Sequence, residues 1–215
     1  MIAFFGTGLL GANFVRAFLR RGEDVHVWNR TPERASALVP EGAVAFTDPA
    51  EAARGATRIH LSLSDDAAVD GVLERARPGI ATGAGVAIVD HTTTSPTETA
   101  ARAARWQARG VVFQHAPVFM GPPNALEGTG TMLASGDRAQ FDALSPELAK
   151  MTGKIVHVGP EPDRAAGMKL LGNLFLMALT SGLAAAPAVP GGSERPTELV
   201  WNGGLANGAD SHSTG

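Results

Sequence analysis

Cysteine is absent from this 215-residue sequence, and neither sign of charge is in large excess. Without cysteine, a disulfide framework, a thiolate zinc site and a cysteine nucleophile are excluded, and we predict no metal site. The net charge of −3 gives no reason to expect nucleic acid or another polyanion as a partner. The N-terminus lacks the basic segment and long apolar run of a secretory signal, so we expect a cytoplasmic protein.

Long apolar runs are scarce as well. The most apolar window covers residues 170–186, and glycine, asparagine, threonine and serine interrupt it. Because its length is marginal for a membrane span, we interpret it as a buried helix and expect no membrane partner.

What is present is a regular alternation of short apolar runs with helical patterns. We predict strands at residues 2–5, 25–28, 43–46, 58–63, 86–90, 111–116 and 154–158. We predict helices from Leu10 to Gly22, from Pro32, and at residues 49–54, 66–76, 96–108, 138–149 and 165–185. Such alternation is typical of an α/β fold, in which a doubly wound, mostly parallel sheet has helices on both faces.

The chain divides into three parts by its patterning. We assign residues 1–162 to the α/β domain and residues 163–186 to one long helix. Residues 187–215 are rich in Pro, Gly, Ser and Asn without apolar periodicity, so we expect a disordered tail.

The first predicted strand leads into a glycine-rich turn that opens a helix, which is the context of a Rossmann-type dinucleotide-binding loop. The turn has the spacing GxGxxG and consists of Gly6, Thr7, Gly8, Leu9, Leu10 and Gly11. Its glycines permit the tight turn, the approach of a pyrophosphate and close packing of the helix, in that order. A turn without a ligand is the alternative, and the agreement of position, period and spacing favours the ligand.

The residues after the second strand favour NADP(H) over NAD(H). An acidic residue there would hydrogen-bond the ribose 2′-hydroxyl of NAD. The sequence has Asn29, Arg30 and Thr31 instead, and the Arg30 guanidinium can pair with a 2′-phosphate and stack on adenine. Two simpler interpretations stay open, with Thr31 as a helix cap and Arg30 as a solvated surface charge. NAD(H) is the alternative cofactor.

Three further positions follow apolar strand runs: Leu63, Ser64 and Thr93. We place them at the carboxyl ends of strands, where open α/β sheets bind ligands, and include them in the cofactor site. The hydroxyls before Pro96 also suit a helix cap. We interpret His91 as structural, because a histidine beside a strand end is more often structural than catalytic.

Four segments, in order, resemble the β-hydroxyacid dehydrogenase family, the relatives of 3-hydroxyisobutyrate dehydrogenase, glyoxylate/succinic semialdehyde reductase and 6-phosphogluconate dehydrogenase. They are the phosphate loop with residues 29–31, residues 90–96, residues 116–121 with 128–137, and residues 167–173. The resemblance covers about residues 1–185. It implies an oxidoreductase that transfers hydride between a nicotinamide and a small hydroxy acid, aldehyde or related carbonyl, with Thr93 near the nicotinamide.

Lys169 and Asn173 lie four residues apart in an otherwise apolar stretch, so they share one face of the predicted helix. Burial disfavours a charged lysine and lowers its pKa, which suits a general acid/base. The residues alone leave a snorkelling lysine and a tolerated asparagine about as plausible. The resemblance favours catalysis: Lys169 would exchange the hydroxyl proton, and Asn173 would hydrogen-bond the substrate.

The substrate loop departs from the family pattern. Where the family usually has Pro-Val-Ser-Gly-Gly, this chain has Pro117, Val118, Phe119, Met120 and Gly121. We include the last four in the substrate site and expect a less polar pocket, suited to a larger or more apolar carbonyl. Imine reductases share the scaffold and carry apolar groups here, but they generally lack the lysine.

Members of this family continue into an all-helical C-terminal domain that closes the active site and forms the dimer. This sequence leaves the pattern near Ala185, so we expect a truncated form whose long helix exposes an apolar face. Three functions follow as hypotheses: an NADP-dependent oxidoreductase acting on CH–OH groups of a small molecule, a non-catalytic NADP-binding module, and an imine reductase.

Overall fold

The computed structural model of the protein describes residues 1–83 and 85–185. The central sheet has six strands: β1 (Ile2–Phe5), β2 (Val25–Trp28), β3 (Val44–Phe46), β4 (Arg58–Leu61), β5 (Ala87–Asp90) and β6 (Val112–His115). They are all parallel and lie in the order β3-β2-β1-β4-β5-β6. The predicted α/β fold is confirmed. The strand order reverses between β1 and β4, and ligands of such sheets bind at this switch point, beyond the carboxyl ends of the strands.

Helices connect the strands and continue after the sheet: α1 (Leu9–Arg20), α2 (Pro32–Ser36), α3 (Pro49–Ala53), α4 (Asp66–Ala76), α5 (Pro96–Ala108), α6 (Pro122–Glu127), α7 (Arg138–Leu148) and α8 (Arg164–Ala185). Side chains cap the first turns of four of them, and Asp137 does so for α7 by accepting the Gln140 N–H at 2.8 Å. Asp48, Asp65 and Ser95 accept hydrogen bonds from backbone N–H groups in the first turns of α3, α4 and α5. The predicted bounds of α4 and α5 are therefore confirmed.

The core lies on both faces of the central sheet, and β1 shows how. Its alternate residues point to opposite sides, so Ala3 and Phe5 join one buried cluster and Phe4 joins the other. Phe4 packs on Phe14 and Phe18 of α1, with ring centroids 6.1 and 6.4 Å apart. These contacts bury the apolar face of α1 against β1.

A second, three-stranded sheet consists of β7 (Val118–Phe119), β8 (Thr131–Ala134) and β9 (Lys154–His157). β7 pairs antiparallel with β8, and β8 pairs parallel with β9. The strand predicted near residue 154 exists, but it belongs to this sheet and not to the central one. The sequence did not reveal this sheet, because β7 has two residues and no readable alternation.

Contacts divide the chain into two units, one of residues 1–170 and one that begins at Leu171. The predicted long helix is confirmed as α8. The burial inferred from its composition is wrong, whereas the exposed apolar face expected of it is present: Leu171, Leu174, Phe175 and Met177 are each more than 60% exposed. The helix is apolar on all sides, so it would need cover all round to be buried. By length and composition alone, α8 is also long and apolar enough to cross a membrane, a test that core helices pass as well. The predicted tail, residues 187–215, lies outside the described residues.

Candidate cofactor and active site

The phosphate loop requires glycine at two of its three glycine positions. Gly6 has φ +94°, and a Cβ there would collide with the carbonyl oxygen of Ser62, just beyond β4. A Cβ at Gly11 would collide with the carbonyl oxygen of Gly6, so α1 could not pack this closely. At Gly8, by contrast, an added Cβ meets nothing within 4 Å. Gly6 and Gly11 thus shape the loop, and Gly8 presents bare backbone to a ligand.

The N-terminus of α1 suits an anion. No side chain caps it, and its first turn has no acidic residue. Helix N-termini attract anions through unpaired N–H groups and the helix dipole. The hydroxyl of Thr7 is buried beside this turn and has no hydrogen-bond partner among the described residues. The donors and the open backbone therefore fit the pyrophosphate of a dinucleotide.

A cleft of about 530 Å³ lies in front of the loop, at the switch point between β1 and β4. Its lining includes these predicted cofactor residues: Gly6, Gly8, Leu9, Leu10, Asn29, Arg30, Thr31, Leu63 and Ser64. Three predicted residues do not line it, because Thr7 and Gly11 are buried in the loop and Thr93 faces solvent elsewhere. A groove of about 500 Å³ between α5 and α7 contains none of the predicted residues. We place the site at the cleft, where the glycine loop and the helix N-terminus converge.

Three arginines line the cleft, and no carboxylate does so among the described residues. Arg30 follows β2, Arg34 lies on α2, and Arg75 on α4 has its guanidinium 5.2 Å from the ring centroid of Trp28. None of the three forms an ion pair within the described part of the chain. Sequence reasoning missed Arg34 and Arg75. Arg34 follows Arg30 by four residues and was detectable, whereas Arg75 reaches the cleft only through the fold.

Asn29 ties the end of β2 to the phosphate loop. Its side-chain oxygen accepts a hydrogen bond from the backbone N–H of Thr7 at 3.1 Å, and its amide nitrogen donates to the carbonyl of Thr31 at 2.9 Å. The side chain is therefore engaged within the protein on both of its polar ends. Thr31 occupies the N-cap position of α2, but its hydroxyl forms no capping hydrogen bond. The capping bond that the sequence allowed is absent, and the hydroxyl is available to the cleft.

The segment after β5 is held by hydrogen bonds of its own. The Thr92 hydroxyl accepts from the backbone N–H of Leu63 at 3.0 Å, and the Thr92 N–H donates to the Asp90 carboxylate at 2.9 Å. The first bond joins the ends of β4 and β5, and the second holds Thr92 in place for it, so the two strands present one edge. Thr93 is exposed at this edge, next to the Ser95 cap of α5.

Three buried histidines, His60, His91 and His115, lie behind this edge. The Nδ1–H of His91 donates to the carbonyl of Ala116 at 2.8 Å, so its Nε2 accepts from Nδ1–H of His60 at 3.0 Å. Burial lowers the pKa of His91 to about 4 and that of His115 to about 3. A histidine that stays neutral inside the core is a poor general base, which agrees with the structural interpretation of His91. Sequence reasoning did not identify the other two.

Asp90 completes this buried group. Burial raises the pKa of its carboxyl to about 6, against the opposing hydrogen bonds from Thr92 and the charge of Arg102. Its second oxygen lies 3.9 Å from both Arg102 and His115. The guanidinium of Arg102 is fully buried and hydrogen-bonds Asp66 and Asp70 of α4. This network fixes α4 and α5 against the sheet, and none of its members lines the cleft.

Lys169 lies in the second turn of α8 and is 9% exposed. The start of α8 is anchored by Ser135, whose hydroxyl accepts from the Ala165 N–H at 2.9 Å and donates to the Pro162 carbonyl at 3.2 Å. Burial lowers the pKa of Lys169. Its charge lies over an aromatic ring, with the Nζ 3.9 Å from the ring centroid of Phe119. One residue predicted for catalysis and one predicted for the substrate loop are thus in contact.

The other predicted substrate residues divide by burial. Val118 is 5% exposed and packs in the core, so only its backbone is available to a substrate. Phe119, Met120 and Gly121 are half-buried. Asn124 closes the loop by accepting the N–H of Gly121 at 2.8 Å.

Asn173 lies one turn beyond Lys169 on α8, in the second unit of the chain. Its assignment to the substrate is still a prediction. Among the described residues, no group of three or more His, Cys, Asp or Glu side chains is placed to hold a metal ion.

These features define a nicotinamide dinucleotide-binding domain, and comparison with known proteins agrees. Residues 1–159 match the family described as the NAD binding domain of 6-phosphogluconate dehydrogenase, and the chain belongs to this family. The resemblance seen in the four sequence segments is thereby confirmed.

Three relatives illustrate the range of the family. The chain is 31% identical over 183 residues to 3-sulfolactaldehyde reductase of Escherichia coli (strain K12), covering 84% of this chain and 60% of that protein. It is 30% identical over 190 residues to 2-(hydroxymethyl)glutarate dehydrogenase of Eubacterium barkeri, covering 86% and 62%. The solved structure of Streptomyces aurantiacus imine reductase matches with a TM-score of 0.78 at 32% identity, covering 87% and 66%. The chain therefore spans less than two thirds of the length of each of these proteins.

Proposed function

We propose that the chain binds NADP(H) in the cleft between β1 and β4 and acts in hydride transfer between the nicotinamide and a small hydroxy acid, aldehyde or related carbonyl. The positive charge of the cleft supports the preference for NADP(H). Three guanidinium groups line the cleft, and no carboxylate does so in the described chain. A 2′-phosphate adds negative charge that the ribose hydroxyl of NAD lacks, and arginine matches its oxygens. Glu33, the acidic residue closest in sequence to Arg30, is not part of the lining.

The proton of this reaction is assigned to Lys169. The bound nicotinamide supplies or accepts the hydride. In reduction, the Lys169 ammonium donates a proton to the carbonyl oxygen as the new C–H bond forms. In oxidation, the neutral amine takes the proton from the hydroxyl. The pKa of Lys169, lowered by burial, supports this role, because both protonation states must be accessible near working pH.

The loop with Phe119 and Met120 supports a larger or more apolar substrate than a short hydroxy acid. Both side chains are half-buried at the place where the family pattern has a serine and a glycine. A hydroxyl and a bare backbone that would hydrogen-bond a carboxylate are thus replaced by apolar surface. Asn173 is the remaining candidate for a hydrogen bond to the substrate, on the strength of the motif that it shares with Lys169.

The cofactor proposal is tested by titrating the protein with NADPH and NADH and following nucleotide fluorescence. We expect tighter binding of NADPH, and we expect Arg30→Ala to remove most of that preference. Arg54→Ala is the matched control, because Arg54 is exposed and lies outside the cleft. Equal affinity for both nucleotides, or an Arg30→Ala protein with the wild-type preference, would contradict the proposal.

The catalytic proposal is tested by a screen of aldehydes, hydroxy acids and cyclic imines with each nucleotide. Lys169→Ala should lower turnover of the best hydroxyl or carbonyl substrate by about 10²–10⁴-fold, the range typical of a lost general acid/base. Lys154→Ala is the control, since Lys154 is exposed on β9. Unchanged turnover by the Lys169 variant would show that the mechanism is wrong.

An imine reductase is the second candidate. It is supported by the likeness to the Streptomyces aurantiacus structure at 32% identity and by the apolar Phe119 and Met120. This candidate predicts turnover of cyclic imines and indifference to Lys169→Ala. A chain that binds NADPH and turns over none of these substrates would instead be a binding module.

A further inference from the structure

The charge of Lys169 has an unusual neighbour. Its Nζ lies 3.9 Å from the ring centroid of Phe119, inside the range of a cation–π contact. The side chain is 9% exposed, and within residues 1–83 and 85–185 no carboxylate lies at salt-bridge distance from it. The ammonium therefore faces an aromatic ring, and no described carboxylate competes with the ring for it.

Backbone geometry fixes the position of this ring. Phe119 is on β7 and lies opposite Thr131 of β8 in the antiparallel pair. Gly130, with φ +84°, brings the chain so close that a Cβ would lie 2.9 Å from the carbonyl oxygen of Phe119 and 2.8 Å from Met120. The two strands thus approach each other at a position that only glycine allows. The backbone that carries the Phe119 ring is therefore held in the sheet.

The backbone of α8 near Lys169 is fixed as well. Ala165 and Ala166 of the first turn of α8 are fully buried, and Ser135 hydrogen-bonds the Ala165 N–H. Gly167 lies close to the start of α5, where an added Cβ would be 3.9 Å from Pro96. The ring and the ammonium therefore meet because two separately anchored elements bring them together.

We propose that Phe119 is a positioning residue, whose ring face holds the Lys169 ammonium at the substrate loop and stabilises its charged form. This inference rests on the proposed role of Lys169 in proton transfer. A carboxylate in the place of the ring would form a tight ion pair and occupy the N–H groups of the ammonium. A ring attracts the charge through its quadrupole and leaves the N–H groups on the far side free for a substrate oxygen.

Two effects oppose each other at Lys169, and they can be separated by substitution. Burial favours the neutral amine, whereas the ring face favours the ammonium. Phe119→Leu keeps the apolar surroundings and removes the ring, so the titration midpoint of Lys169 should fall by about one pH unit. Phe119→Tyr keeps a ring face and should keep the midpoint. Phe119→Ser admits water and should raise it.

The sequence makes the measurement direct, because it contains three lysines, Lys150, Lys154 and Lys169. The full-length protein is labelled with ¹³C at lysine Cε, and the ¹H–¹³C resonances are followed against pH. The Lys169 resonance is assigned as the one lost in Lys169→Arg. The resonances of Lys150 and Lys154 serve as internal references, and they should titrate alike in all variants if the fold is intact.

A second readout needs no substitution at Phe119. Protons above a ring face are shifted upfield, so the Hε resonance of Lys169 should lie upfield of those of Lys150 and Lys154. An Hε shift like the other two, or a Phe119→Leu midpoint equal to wild type, would overturn the proposal. These outcomes do not depend on turnover. If the ring effects are found and Lys169→Ala still leaves turnover unchanged, the contact stands and the proposed catalytic role fails.

Discussion

The side-chain oxygen of Asn29 accepts a hydrogen bond from the backbone N–H of Thr7 over 3.1 Å. This contact joins the end of β2 to the phosphate loop that follows the neighbouring strand β1. Asn29 therefore acts on the cofactor through the shape of the loop, since both of its polar atoms already bond to the protein.

Asn29→Ala should weaken the binding of NADPH and NADH by the same factor. The loss of one partly buried hydrogen bond costs about 1 kcal/mol, which corresponds to about fivefold in affinity. Fluorescence titration with both nucleotides measures this. Gln107→Ala, exposed on α5 outside the cleft, is the control. A loss much larger for NADPH than for NADH would instead show that Asn29 contacts the 2′-phosphate.

The glycines of the phosphate loop should separate stability from binding. Gly8→Ala places a methyl group in open space at φ −71°, so the free energy of unfolding should change by less than about 0.5 kcal/mol. The same methyl group obstructs the pyrophosphate, and affinity should fall by about tenfold or more. Gly11→Ala collides with the Gly6 carbonyl and should cost about 1–3 kcal/mol of stability.

Urea denaturation and nucleotide titration of the two variants test this contrast. If Gly8→Ala bound nucleotide like wild type, the pyrophosphate would not pass over Gly8. If Gly11→Ala unfolded like wild type, the close packing of α1 on the loop would not be required.

The sequence predicted those elements whose signals are local. α4 and α5 begin at capping side chains, Asp65 and Ser95, which are visible in the sequence as acceptors before a helical pattern. The phosphate loop was predictable because its three glycines have fixed spacing. The helix predicted from Leu10 exists as α1, and its Phe14 and Phe18, spaced four residues apart, pack in the core.

Features that depend on distant parts of the chain were missed. Arg75 enters the cleft from α4, far in sequence from Trp28, over whose ring it lies. The contact of Lys169 with Phe119 joins a helix to a strand of two residues, and no spacing rule describes it. His60 lies on β4 and His115 on β6, two strands that are far apart in sequence. They cluster because both strands lie beside β5 in the sheet. Tertiary placement decides all three.

The buried titratable cluster makes stability dependent on pH. The pKa of His91 is about 4 and that of His115 about 3 in the folded protein, below the ordinary value of 6.5. The unfolded chain binds these protons at a higher pH than the folded protein does. The free energy of unfolding is therefore undiminished above pH 6.5 and falls as the pH falls toward 4. Asp90 acts in the opposite sense: its pKa is raised to about 6 from 3.8, so its burial costs less as the pH falls through 6. As the pH falls, the stability lost through two histidines exceeds the stability gained through one carboxyl. His60, whose pKa is also lowered by burial, adds to the loss.

We therefore expect the free energy of unfolding in urea to be about 2–4 kcal/mol lower at pH 5 than at pH 7. His115→Leu removes one titrating group that forms no hydrogen bond in the described chain, and it leaves an apolar side chain in the core. The variant should lose about 2 kcal/mol less than wild type over the same pH change. An equal loss in both proteins would mean that His115 is accessible to protons when folded. A rise in stability toward pH 5 would mean that Asp90, and not the histidines, dominates the cluster.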